Sequence, residues 1–144
     1  MDKNYFRKFA LAIFLDKEGN AVIQDRRNYS KSGETFGLYG GGIEEGETSD
    51  QAIVRELKEE LDLNITYPKL WKEMEINIKG HGLGHFSLYI FPINKELKSS
   101  KDIEGKKYFS TINKLKEFKE FDEIDKTFFK LISEELKDIL NNYI

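Results

Sequence analysis

Glu56, Glu59 and Glu60, in the run "RELKEELDL", stand at i, i+3 and i+4, which puts three carboxylates on one face of any helix that contains them. Such a face is either solvated surface or a seat for cations. The chain carries its own comparison in "SEELKDIL", Ser133 to Leu140, which reads only as a solvated face. What distinguishes the first run is its company. Gly40, Gly41 and Gly42 precede it, with no side chains to pack, and permit unusual dihedrals and close approach of the backbone to a ligand. A loop of this kind brings backbone carbonyls beside the carboxylates, a hard oxygen-lined set suited to Mg²⁺ or Mn²⁺. Arg55 is placed to orient a carboxylate and offset part of the charge.

These residues need a helix to hold them. Thr48 followed by Gln51 matches a capping box, and Ala52, Ile53, Leu57 and Leu61 supply an apolar stripe, so the spacing predicts a helix from Ser49 to about Leu61. Upstream, "FALAIFL" and "AVIQDRR" read as two strands around the turn "DKEGN", with Arg26 and Arg27 ending the second, and "NYSKSGETFG" as a polar loop leading to the glycines. Downstream, "EMEINI" alternates as a half-buried strand, while "HFSLYIF" is apolar on both faces and predicts a more central one. Lys106 to Phe109 is a candidate for another short strand. From Glu123 onward, Ile124, Phe128, Leu131, Ile132, Leu136, Ile139 and Leu140 recur at helical spacing and predict one long amphipathic helix. Interleaved strands and helices place the fold in the mixed α/β or α+β class.

The 144 residues, 39% of them hydrophobic, suit one domain spanning residues 1–144. With 23 Lys and Arg against 26 Asp and Glu, no global charge steers the chain to a nucleic acid polymer or an anionic membrane, so a small-molecule partner is expected. Zero cysteines exclude disulfides, thiolate metal sites and a cysteine nucleophile, and fit a reducing cytoplasm. The stretch from Arg7 to Leu15 imitates a signal peptide, but Asp16, Lys17 and Glu18 follow at once, and a strand is the better reading. No run is long enough to span a bilayer as a helix. A homodimer is compatible with the composition.

The segment resembles the signature box of the Nudix (MutT-like) hydrolases, G-x5-E-x7-R-E-U-x-E-E-x-G-U with U aliphatic. Gly41, Glu47, Arg55, Glu56, Leu57, Glu59, Glu60 and Leu63 fall on its required positions. Asp62 departs from it where the family has glycine, just past the helix, where glycine suits a left-handed cap. Tyr39 stands where a proline often precedes the paired glycines. The resemblance implies an α/β/α sandwich around a mixed sheet and divalent-metal hydrolysis of a nucleoside diphosphate linked to another group. It implies that Glu56, Glu59 and Glu60 hold Mg²⁺, for which Mn²⁺ substitutes, with the Gly40 carbonyl as a further ligand and Glu47 and Arg55 in support. Family members often add one more carboxylate from a later loop, here Glu104.

Outside the box, Arg26 and Arg27 are candidates to grip a phosphate. His81 and His85 flank the turn in "KGHGLGH", and His85, Tyr89 and Phe91 are candidates for contact with a base, the two aromatics by stacking. Relatives that prefer ADP-ribose or dinucleoside polyphosphates carry a marker proline or tyrosine near the position of Lys79 to His81, and "KGH" supplies neither. By elimination the resemblance points to a nucleoside triphosphate cut to monophosphate and pyrophosphate. ADP-ribose, a nucleotide sugar, a dinucleoside polyphosphate and a non-catalytic nucleotide sensor are the alternatives.

Overall fold

A computed structural model describes residues 4–27, 36–103, 105–119, 121 and 123–144. Its elements run β1 (Arg7–Leu15), β2 (Asn20–Asp25), β3 (Phe36–Gly37), β4 (Tyr39–Gly42), α1 (Ser49–Leu61), β5 (Leu70–Ile78), β6 (Gly82–Pro92), α2 (Lys95–Ser99), β7 (Lys106–Thr111), α3 (Ile112–Leu115), α4 (Glu123–Glu134) and α5 (Leu136–Tyr143). Among the described residues seven strands form one mixed sheet in the order β3-β2-β1-β6-β5, with β4 pairing β1 and β7 pairing β2. The β1–β6 pair is parallel, and the other pairs are antiparallel.

The sheet is covered on both faces, which makes the fold an α/β/α sandwich. Ile13, Leu15, Ile23, Leu88 and Ile90 pack against Phe128, Phe129 and Ile132 of α4 and Ile139 of α5. On the other face Ala10, Ala12, Phe14, Tyr39, Tyr89 and Phe91 lie under Ile53, Leu57 and Leu61 of α1. This explains why "HFSLYIF" is apolar throughout: β6 sits between β1 and β5 with a helical layer on either side. Strand β5, with burial alternating along its length, has only one side in the core.

Helix α1 starts as its sequence predicts. The Thr48 hydroxyl accepts from the Gln51 N–H at 3.1 Å, and the Gln51 side chain accepts from the Thr48 N–H at 2.9 Å. It ends at Asp62 in the left-handed conformation, φ 53° and ψ 34°, with the Asp62 N–H bonding Lys58 O and the Leu63 N–H bonding Leu57 O. The backbone shape that glycine would favour is therefore adopted by aspartate.

Two expectations are corrected. The glycine run is a strand, not a loop: Gly40, Gly41 and Gly42 pair with Leu11, Ala10 and Phe9 of β1. Gly40 has φ +121°, and a Cβ there would collide with the Ala10 carbonyl, so the absence of a side chain is what lets β4 lie so close. The C-terminal helix is two helices, interrupted at Glu135 with φ −108° and ψ 13°. Neither Gly nor Pro marks that break. It falls where Glu135 pairs with Lys72 of β5, a contact 63 residues away in the chain. The short helices α2 and α3 follow capping by Asn94 and Thr111, which the periodicity of apolar residues does not register. No helix among the described residues is long and apolar enough to cross a membrane.

Left-handed backbone costs aspartate more than glycine, and the exposed Lys58–Asp62 pair returns little. Asp62→Gly is expected to raise stability by about 0.5–1 kcal/mol, read as a higher urea midpoint at unchanged m-value; a lower midpoint would contradict this reading of the cap.

Candidate functional site

The carboxylates of α1 are organised by Arg55. Its Nε and Nη2 donate to the two oxygens of Glu47 at 2.8 and 2.9 Å, its Nη1 to Glu56 Oε1 at 3.0 Å and Glu59 Oε2 at 3.4 Å, and its Nη2 also to the Gly42 carbonyl at 3.1 Å. All five N–H groups of the guanidinium are thereby directed. Glu47 also accepts the Glu44 N–H at 3.0 Å. Its carboxyl is held down to about 2, chiefly by the Arg55 hydrogen bonds and then by that N–H. The same contact, first of all with Glu47, pushes Arg55 above the usual arginine range.

Glu60 is held differently. It is buried, 7% exposed, and its Oε2 accepts the Gly40 N–H at 3.0 Å. The Glu60 carbonyl accepts the Ile103 N–H at 3.0 Å, and the neighbouring Asp102 accepts the Tyr39 hydroxyl at 2.7 Å and the Gln24 amide at 2.9 Å. Because Tyr39 adjoins Gly40 and Asp102 adjoins Ile103, these bonds close a ring around Glu60. Tyr39 is buried, and burial, reinforced by Asp102, raises its phenol so that it stays a donor. Sequence reasoning did not single out Asp102; its only signal was its loop, which attracted attention through Glu104. Glu104 itself lies outside the described residues.

The donors suit a divalent cation. Glu56, Glu59 and Glu60 offer hard oxygens on adjoining positions of α1, and at Gly41 a Cβ would stand 2.6 Å from Glu56 Oε1, so glycine keeps room for the carboxylate against the strand. Among the described residues no three acidic or imidazole groups already converge on a metal-sized point, since Arg55 and the Gly40 N–H engage the glutamates.

The outlying candidates divide. Arg27 is tied to Asp25 at 2.8 Å and lies over the Phe36 ring. Arg26 is half-buried, and its Nε has no hydrogen-bond partner among the described residues. His81 is exposed against Phe6, whereas His85 is half-buried beside Tyr5 and Glu73. Tyr89 and Phe91 are corrected: both are buried under α1, the Tyr89 hydroxyl reaching Ser49 and Asp50, so neither presents a face on which a base could stack.

The Glu47 carboxyl sits below its ordinary value of 4.5, so its contribution to stability is present above about pH 4.5 and is lost as pH falls toward about 2. In metal-free buffer Glu47→Gln is expected to melt lower than the parent near neutrality, and the gap to narrow through that acid window; a gap independent of pH would contradict the Arg55–Glu47 assignment.

Compared with known proteins, residues 6–132 match the NUDIX domain family. A stretch of 66 residues is 36% identical to the 8-oxo-dGTP diphosphatase of Proteus vulgaris, covering 46% of this chain and 58% of that protein, less than two thirds of the relative's length. In structure the chain is similar to the MutT protein of Methanosarcina mazei Go1, with a TM-score of 0.72 at 15% identity over 95% of this chain and 99% of that one. It is similar also to the E. coli ORF135 protein, with a TM-score of 0.71 at 17% identity over 92% and 91%. At those identities the structural likeness is one of fold. The family match takes in β4, α1 and the whole carboxylate face, and the chain belongs to the NUDIX domain family.

Proposed function

We propose that the chain is a Mg²⁺-dependent diphosphohydrolase, with Mn²⁺ as a substitute, that cuts a nucleoside triphosphate to monophosphate and pyrophosphate. The observation that carries this reading is Arg55 joining Glu47, Glu56 and Glu59 while the Gly40 N–H holds Glu60, all within a chain of this family. The Proteus vulgaris relative, named for 8-oxo-dGTP, supports a triphosphate. A small nucleotide is the partner, in keeping with a net charge of only −3.

Glu56, Glu59 and Glu60, with the Gly40 carbonyl, would hold the cation. When bound it supplies neutralisation of the diphosphate and acidification of water. The chain's own groups do the rest. Arg55 and Glu47 keep Glu56 and Glu59 from splaying apart, and the ring through Gly40, Tyr39, Asp102 and Ile103 sets the place of Glu60. Arg26 is the better of the two arginines for a phosphate, because Arg27 is committed to Asp25. Water adds to one phosphorus of the anhydride, the bridging P–O bond breaks, and one of the three glutamates accepts the proton.

A release assay across nucleoside triphosphates, ADP-ribose, nucleotide sugars and dinucleoside polyphosphates, with and without Mg²⁺, tests the reading. Metal-dependent pyrophosphate release from triphosphates is expected; preference for another member would overturn the triphosphate, and silence throughout would overturn the enzyme. Glu59→Gln and Glu60→Gln should each lower kcat about 100-fold or more with an unchanged far-UV spectrum, and parental turnover in both would remove them from the site. Millimolar Mg²⁺ should raise the melting temperature by mass action on the native state, less so in Glu56→Gln. A melting curve blind to both Mg²⁺ and Mn²⁺ would count against a metal on this face.

A further inference from the structure

The register of β1, β6 and β5 aligns Lys8, His85 and Glu75 at one level of the sheet, Ala10, Ser87 and Glu73 at the next, and Ala12 and Tyr89 beyond. Tyr89 fills the space beneath the start of α1, where its hydroxyl donates to Ser49 Oγ at 2.8 Å. One level down, alanine and serine are too small to do the same. The result is a cavity of about 360 Å³, lined among others by Tyr5, Lys8, Ile43, Glu47, His85 and Ser87.

The floor of this cavity is polar and unpaired. Ser87 is 1% exposed, and its Oγ has no hydrogen-bond partner among the described residues; His85 Nδ1 is buried and likewise has none among them. Central strand positions seldom keep a buried hydroxyl without a partner, because the group loses its water for nothing in return. The charges around it do not favour an anion: Glu47 and Glu73 line the same space, and the Lys8 ammonium lies over the Tyr5 ring, 5.5 Å from its centroid. A hydroxyl both donates and accepts, and an imidazole nitrogen does one or the other according to its tautomer, so together they match an uncharged edge that carries donor and acceptor side by side. Tyr5 and Ile43 add aromatic and apolar walls, and the volume lies in the range of small-ligand sites.

We propose that this cavity is a second binding site, separate from the Glu56–Glu59–Glu60 face, for a neutral nucleobase or nucleoside read by Ser87 and His85. Glu47 lines the cavity and is chelated by Arg55, so an occupant bears directly on the group that positions Glu56 and Glu59. The site does not depend on catalysis, and its test needs none.

The test uses adenosine, guanosine, cytidine and uridine, without phosphate, titrated by calorimetry and by ¹⁵N-edited NMR into the chelator-treated full chain. At least one nucleoside is expected to bind saturably and to shift the signals of Ser87, His85 and the Arg55 Nε–H. Ser87→Ala should weaken binding about fivefold, the worth of one neutral hydrogen bond. Ser87→Val, which fills the hollow with a residue suited to a strand, should abolish binding while thermal melting reports a folded chain; if that variant fails to fold, Ser87→Ala decides alone. Absence of saturation, shifts confined to other regions, equal affinity in Ser87→Ala, or binding of inorganic phosphate in place of the nucleosides would each overturn the proposal. Metal-dependent hydrolysis is measured separately, so loss of either conclusion leaves the other standing.

Discussion

One guanidinium makes the acidic helix tenable. Glu47, Glu56 and Glu59 would repel one another across a few ångströms, and Arg55 meets all three while using its remaining donor on the Gly42 carbonyl. That last bond ties α1 to β4, so charge compensation and the spacing between helix and sheet are set by the same side chain. Lysine could supply the charge but not the planar fork that addresses two carboxylate oxygens and a carbonyl together. The contact is partly shielded, the Arg55 side chain being 24% exposed and that of Glu47 14%, which spares it some of the screening that weakens surface pairs.

Glu60 depends on the sheet. Its carboxylate needs the Gly40 N–H, and Gly40 can approach Ala10 only because it has no side chain and a positive φ. Strand β1 makes room by dividing its length, pairing β4 from Phe9 to Ala12 and β2 from Phe14 to Leu15. Tyr39, fully buried, extends the arrangement to a loop 63 residues away through Asp102. The position of one glutamate thus rests on two strands, a tyrosine and a distant backbone N–H, none of them adjacent to it in sequence.

The surface of the sheet beneath α1 changes character along the helix. Under the helix proper, Tyr89, Phe91, Ile53 and Leu57 close it completely. Beyond the N-terminal turn the side chains shorten to Ala10 and Ser87, and polar atoms take over from apolar ones. The carboxylate face and the polar hollow are therefore distinct environments that share one residue, Glu47, at the entry to the helix.

The local signals in the sequence determined what depends on near neighbours. Thr48 and Gln51 specify where α1 begins because each satisfies the other's backbone N–H three residues away, and the i, i+3, i+4 spacing puts Glu56, Glu59 and Glu60 together because a helix has a fixed pitch. The box spacing identified the family for the same reason, and even the left-handed cap at Asp62 was legible as a position where glycine is usual. Tertiary structure decided what depends on distant partners. The glycine run becomes a strand because β1 lies beside it. Tyr89 and Phe91 become core because α1 covers them, although as strand residues their two faces look alike. The C-terminal helix breaks at Glu135 where Lys72 meets it, and Asp102 matters because Tyr39 and Gln24 converge on it from other strands. Each of these partners is many residues distant, and a periodicity reports which face a residue occupies, not what arrives to cover it.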